Sequence, residues 1–165
     1  MNALDSENKE SRKYPPLAVS CLTALGEFLG GEVVLNEDDC FNVAVEDENP
    51  VTIHLDAEQE KFELVGMVAD DLPDPVDYSL VLDLLNFALS PLVNGGPAVG
   101  RDPATGRLEA FLIIPFRDLT PQDFVTQVKE FFRFQITITL RITHPDEPVG
   151  DDYLSADVRF SGLEI

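Results

Sequence analysis

The chain has 165 residues, enough for one domain with a self-sufficient core, and its 44% hydrophobic content is too high for a disordered chain. Its formal net charge of −20 sets nucleic acid and anionic lipid surfaces aside as partners, because both would be repelled. The first residues are polar and carry no signal-peptide run, and no apolar stretch approaches the roughly 20 residues that span a bilayer. A soluble, cytoplasmic protein without membrane insertion is expected.

Residues 1–14 lack apolar periodicity and read as a mobile arm. After Pro15-Pro16, Leu17, Cys21, Leu22, Leu25, Phe28 and Leu29 recur at three- and four-residue steps until Gly30-Gly31, which predicts a helix over 16–30. The period then changes to two. Phe41, Val43 and Val45 alternate with polar or small residues, as do Val51, Ile53 and Leu55, and then Phe62, Leu64, Gly66 and Val68. The polar links 47–50 and 56–60 make this an antiparallel meander with one apolar face.

Leu72-Pro73-Asp74-Pro75 closes the meander and introduces a second helix, about Val76 to Leu89. Tyr78, Leu80, Val81, Leu82, Leu84, Leu85, Phe87 and Leu89 leave it almost no polar face. A helix apolar all round is buried all round, and one small sheet covers only one side. A second copy of the chain is the natural cover for the other side. Pro91 and Asn94-Gly95-Gly96-Pro97 are expected to end this helix.

A hairpin follows: Ala98 to Arg101, a turn at 102–106 in which Gly106 takes a positive φ, and a strand from Leu108 to Phe116. Thr120-Pro121-Gln122-Asp123 carries a capping hydroxyl, a proline at the first helical position and an acid in the first turn. Phe124, Val125, Val128, Phe131 and Phe132 continue a third helix to about residue 134. The β-branched run Ile136 to Ile142 reads by propensity as a strand and by continuity as more helix. From 143 the chain is an acidic tail, with a short strand conceivable at 156–160. Three segments result: an arm over 1–14, a domain over 15–142 and a tail over 143–165.

Residues with chemical potential are few and scattered. Cys21 and Cys40 have no metal or redox spacing and read as reduced structural thiols. His54 alternates within a strand, and His144 stands alone before Pro145, so neither suggests zinc. Asp70, Asp71, Asp74 and Asp77 lack the glycine and terminal glutamate of a calcium loop; Asp74 and Asp77 suit a helix N-terminus better. Glu37-Asp38-Asp39 reads as a solvated turn. No nucleophile elbow or phosphate loop is present. A protein that acts by binding, without cofactor, metal or catalytic residues, is expected.

The fold class is α+β, in the order helix, three strands, helix, two strands, helix. In that order the chain resembles the class I type III secretion chaperones, the Tir chaperone (CesT-like) family. The resemblance rests on Leu22-x-x-Leu25-Gly26, Cys40 to Val45, Phe62-Glu63-Leu64 with Leu72-Pro73, and Leu84-Leu85-Asn86. Its most specific piece is Gly100 to Leu108, followed by Asp118-Leu119-Thr120 and Phe124. A tryptophan frequent late in the third helix of such proteins is absent, and the arm and tail are additions.

The resemblance implies a bacterial homodimer that binds the N-terminal segment of a secreted effector in extended form, by strand addition and apolar anchoring. Client contact is then expected at Leu22, Leu25, Phe28, Leu29, Val43, Val45, Ile53 and Leu55. Leu82, Leu85, Leu89, Phe111 and Ile113 are expected at the dimer seam. The tail, through Leu154, Val158 and Phe160, could occupy the client groove. The alternative on the same architecture is an acidic regulator or inhibitor module unconnected with secretion.

Overall fold

A computed structural model describes residues 14–43 and 50–144. Its elements are α1 (Pro16–Leu29), β1 (Cys40–Val43), β2 (Val51–Asp56), β3 (Lys61–Ala69), α2 (Tyr78–Asn94), β4 (Ala98–Arg101), β5 (Leu108–Pro115) and α3 (Pro121–Thr143). The five strands form one antiparallel sheet in the order β1-β2-β3-β5-β4. α3 lies across β3 and β5, α1 packs on α3, and α2 packs against β4.

Period-two patterning sets which strand residues face the helices. Phe41, Val43, Val51, Ile53, Leu55, Phe62, Leu64, Val68, Leu108, Ala110, Leu112 and Ile114 all point inward and are buried. They meet Phe124, Phe131, Phe132 and Ile138 of α3 and Ala18, Cys21 and Leu25 of α1 in one cluster. Phe62 sits at its centre, 4.3 Å from the ring of Phe124 and 5.2 Å from that of Phe116, in tilted packing.

α3 runs unbroken for 23 residues, so Ile136 to Ile142 is helical despite its strand propensity. Tertiary contacts decide this. Ile138 and Ile142 are buried, and two side chains of this half bind the sheet directly. Gln135 Nε2 donates to the carbonyl of Met67 at 2.8 Å, and Thr139 Oγ1 to that of Val68 at 3.3 Å. Both carbonyls lie where the β3–β5 register slips between Met67 and Ala69, and the bulge loosens the ladder there. Gly66 permits the approach: a Cβ on it would stand 2.7 Å from Gln135 Nε2. The helix start follows its sequence signal, with Thr120 Oγ1 accepting from the Asp123 amide at 3.1 Å.

The hairpin expected at 98–116 is present. Asp102 accepts from the Ala104 and Thr105 amides and the Thr105 hydroxyl, and Gly106 has φ +80°. α2 departs from expectation at both ends. It starts at Tyr78, with Asp77 accepting from the Ser79 amide and hydroxyl, and it passes through Pro91 to Asn94. A proline near the last turn withholds one amide only, and the helix terminates at Gly95 and Gly96, both with positive φ.

Candidate functional site

Among the described residues, two apolar surfaces are open. The first is built on α2. Its inward residues are Leu80, fully buried, with Leu84 and Phe87 against the core. Phe87 meets Phe134 of α3 edge-on at 5.6 Å, and Asp83 pairs with Arg141 of α3 at 3.0 Å. These contacts fix the roll of the helix and so determine what points out. Tyr78, Leu82, Leu85, Leu89 and Val93 form the outward stripe, with exposures from 43% for Leu82 to 80% for Val93. On the sheet face away from the core, Val65 and Phe111 are cross-strand partners and Ile113 lies one pair further on; all three are exposed. All five residues expected at a seam, Leu82, Leu85, Leu89, Phe111 and Ile113, therefore stand uncovered in a single chain.

The second surface is a groove of about 700 Å³ beside α1. Val19, Leu22 and Thr23 of α1 line it, together with Val33, Val34 and Leu35 in the irregular segment that leads to β1. Gly26 sets its width. Its carbonyl accepts from the Gly31 amide at 3.0 Å, and a Cβ there would meet the Gly31 carbonyl at 2.6 Å. Tyr14 also lines the groove, with its hydroxyl donating to Asp39 at 2.7 Å.

β1 is the outer strand on this side of the sheet. The Leu55 amide donates to the Asp39 carbonyl, so alternation directs the backbone of Cys40 and Asn42 outward. Asn36 takes both groups of Cys40, accepting its amide at 3.0 Å and donating to its carbonyl at 2.8 Å. The outward pair of Asn42 has no partner among the described residues.

The residues expected at a client surface divide. Leu25, Val43, Ile53 and Leu55 are at most 2% exposed and belong to the core, so they are not available to a partner. Their period-two or helical spacing marked the inward face, and the inward face is covered by the chain's own helices. Leu22 is buried in the core at 8% exposure and contributes to the groove lining, Phe28 lies half-buried under Lys129 Nζ at 4.0 Å, and Leu29 is half-buried. Val45 lies outside the described residues, as do the tail positions Leu154, Val158 and Phe160. The groove-lining run Val33-Val34-Leu35 was missed; three apolar residues after a helix-ending Gly-Gly are the signal that marks it.

The polar groups have local duties. The acidic run at 70–77 splits: Asp70 pairs with Arg107 at 3.0 Å, Asp71 accepts from the Leu72 amide, and Asp77 serves the start of α2. Hydrogen bonds from the Ser79 side chain and amide hold the Asp77 carboxyl below its usual value. On the outer sheet face, Glu63 bonds Lys61 at 2.7 Å and lies 3.3 Å from His54, and the Lys61 bond foremost holds Glu63 low. Burial pushes the Cys21 thiol up to about 11, which leaves it protonated and unreactive. Both cysteines are free thiols.

The sequence profile of the Tir chaperone protein (CesT) family matches residues 20–133, from within α1 to the middle of α3. The chain belongs to the Tir chaperone protein family. No curated protein matches it in sequence. Among solved structures, a chain of the HopA1–SchA chaperone–effector complex is 21% identical with a TM-score of 0.62, over 73% of this chain and 91% of the other. A chain of the ExsC–ExsE complex is 19% identical, at 0.61, over 79% and 97%. A chain from the Yersinia pestis type III secretion chaperone SycH, in complex with a stable fragment of YscM2, is 15% identical, at 0.57, over 72% and 97%. At these identities the likeness is one of fold, and the α+β architecture is that of the Tir chaperone family. No described helix is long and apolar enough to cross a membrane.

Proposed function

We propose that this protein is a homodimeric type III secretion chaperone of the bacterial cytoplasm. It holds the N-terminal segment of a secreted effector in extended form, works by binding alone, and uses neither cofactor nor catalytic residues. Membership of a chaperone family supports the general reading, and chains of similar fold occur in complexes described as chaperone–effector.

The observation that carries the dimer is the outward stripe of α2. Eight large apolar side chains, the five of the stripe with Val65, Phe111 and Ile113, are exposed on one chain. Covering each contributes roughly 1 kcal/mol, against the roughly 4–15 kcal/mol that association costs. Two copies bring sixteen such side chains, so a seam that covers most of them is favourable. The client would lie along the α1 groove and beside β1, where Leu22, Val19 and Val34 offer anchoring and Asn42 offers backbone groups for strand addition.

Affinity capture from the native bacterium on tagged full-length protein tests this reading. A secreted protein is expected to co-elute, and removal of its N-terminal segment is expected to abolish capture. Retention of a partner that lacks that segment, or capture of a non-secreted regulator alone, would contradict it.

A further inference from the structure

The α1 groove has a charge that its apolar floor does not explain. Among the described residues its lining includes two carboxylates, Glu27 and Glu32, and no lysine, arginine or histidine. Both acids are exposed, and neither has an ion-pair partner among the described residues. Beyond the Leu35 end of the groove the chain continues into Glu37, Asp38 and Asp39. Four of the described basic side chains are engaged away from the groove: Lys61 with Asp56 and Glu63, Arg107 with Asp70, Arg141 with Asp83, and Lys129 over Phe28.

We infer that the groove selects an extended client segment whose aliphatic anchors are flanked by lysine or arginine. The inference rests on the client-binding reading above and adds the chemistry of the client. Apolar contact with Val19, Leu22 and Val34 supplies affinity to any aliphatic segment, whereas the rim discriminates among such segments by charge. The same rule disfavours the chain's own tail as occupant. Residues 145–165 carry Asp146, Glu147, Asp151, Asp152, Asp157 and Glu164 against the single Arg159. Rim charges are solvent-exposed, so two opposed pairs together are expected to alter affinity by about tenfold at low salt.

The experiment selects short peptides from a displayed random library on the full-length protein. Peptides that lose binding to a Val19→Asp/Val34→Asp variant are kept as groove binders; both positions are exposed, so the fold tolerates the change. Each basic residue beside the aliphatic anchors is then replaced by glutamine, and affinity is read by fluorescence anisotropy. A loss of about tenfold against the wild type, with little loss against a Glu27→Gln/Glu32→Gln variant, supports the inference. Groove binders without basic flanks, or an equal loss with both proteins, overturn it and leave the groove as a client site intact. Displacement of the selected peptides by a synthetic peptide of residues 145–165 at similar affinity also overturns it. If no peptide depends on Val19 and Val34, the groove is not a docking site and the client reading fails with the inference.

Discussion

α2 and α3 are both rich in large apolar residues, yet they use them differently. In α3, Phe124, Val125, Val128, Phe131, Phe132, Ile138 and Ile142 are all covered by the chain's own sheet and α1. Among the described side chains of α2 only Leu80 is fully buried, and five large apolar ones face outward at helical spacing. The sequence of α3 separates an apolar face from a polar one, and a single chain satisfies it. The sequence of α2 does not, and a single chain leaves part of it uncovered. The apolar content of α3 therefore stabilises the monomer, whereas the outward stripe of α2 is left uncovered by it.

Substitutions in α3 should act on folding itself. Phe131→Ala empties a fully buried ring site and is expected to cost about 3–5 kcal/mol, read from urea unfolding. A loss under about 1 kcal/mol would show that α3 is not the principal core helix. Gly66→Ala tests the docking of its second half. The new Cβ meets Gln135, which must move and surrender its bond to Met67, for an expected cost of about 1–3 kcal/mol. Thr120→Ala removes the cap of α3 at about 1 kcal/mol, measured in the same way.

The smallest expected effect comes from pH. Glu63, Asp77 and Asp102 are held below their ordinary values, foremost by Lys61, Ser79 and Thr105 respectively. For depressed carboxylates the unfolded chain binds more protons, so their stabilisation is present above the ordinary carboxylate range. It is lost as pH falls through the native values. All three lie near water, which keeps the contribution small. A steep loss of stability with the midpoint near neutral pH would require a different titrating group.

Much of this division was legible in the residues. Alternation in the three meander strands assigned every inward side chain from Phe41 to Val68 that the structure describes. Asp102 to Gly106 announced its turn through local chemistry. What escaped were features that depend on distant neighbours. Ile136 to Ile142 favours a strand locally and is helical because Gln135, Thr139 and Ile138 find partners on β3 and in the core. The client residues were harder, because the same apolar spacing marks a core face and a binding face alike. Leu25, Val43, Ile53 and Leu55 proved to be core. The groove depends on how closely Gly26 lets the 31–35 segment approach α1, and periodicity carries no information about that distance.

Whether the outward face of α2 is shared between two copies is tested most directly by light scattering on the full-length protein at micromolar concentration. The wild type is expected at twice its 18.2 kDa chain mass. A Leu85→Glu/Leu89→Glu variant is expected at the single-chain mass, with its helical circular dichroism preserved. A well-folded wild type at the single-chain mass would contradict the shared face, as would a double variant that stays dimeric.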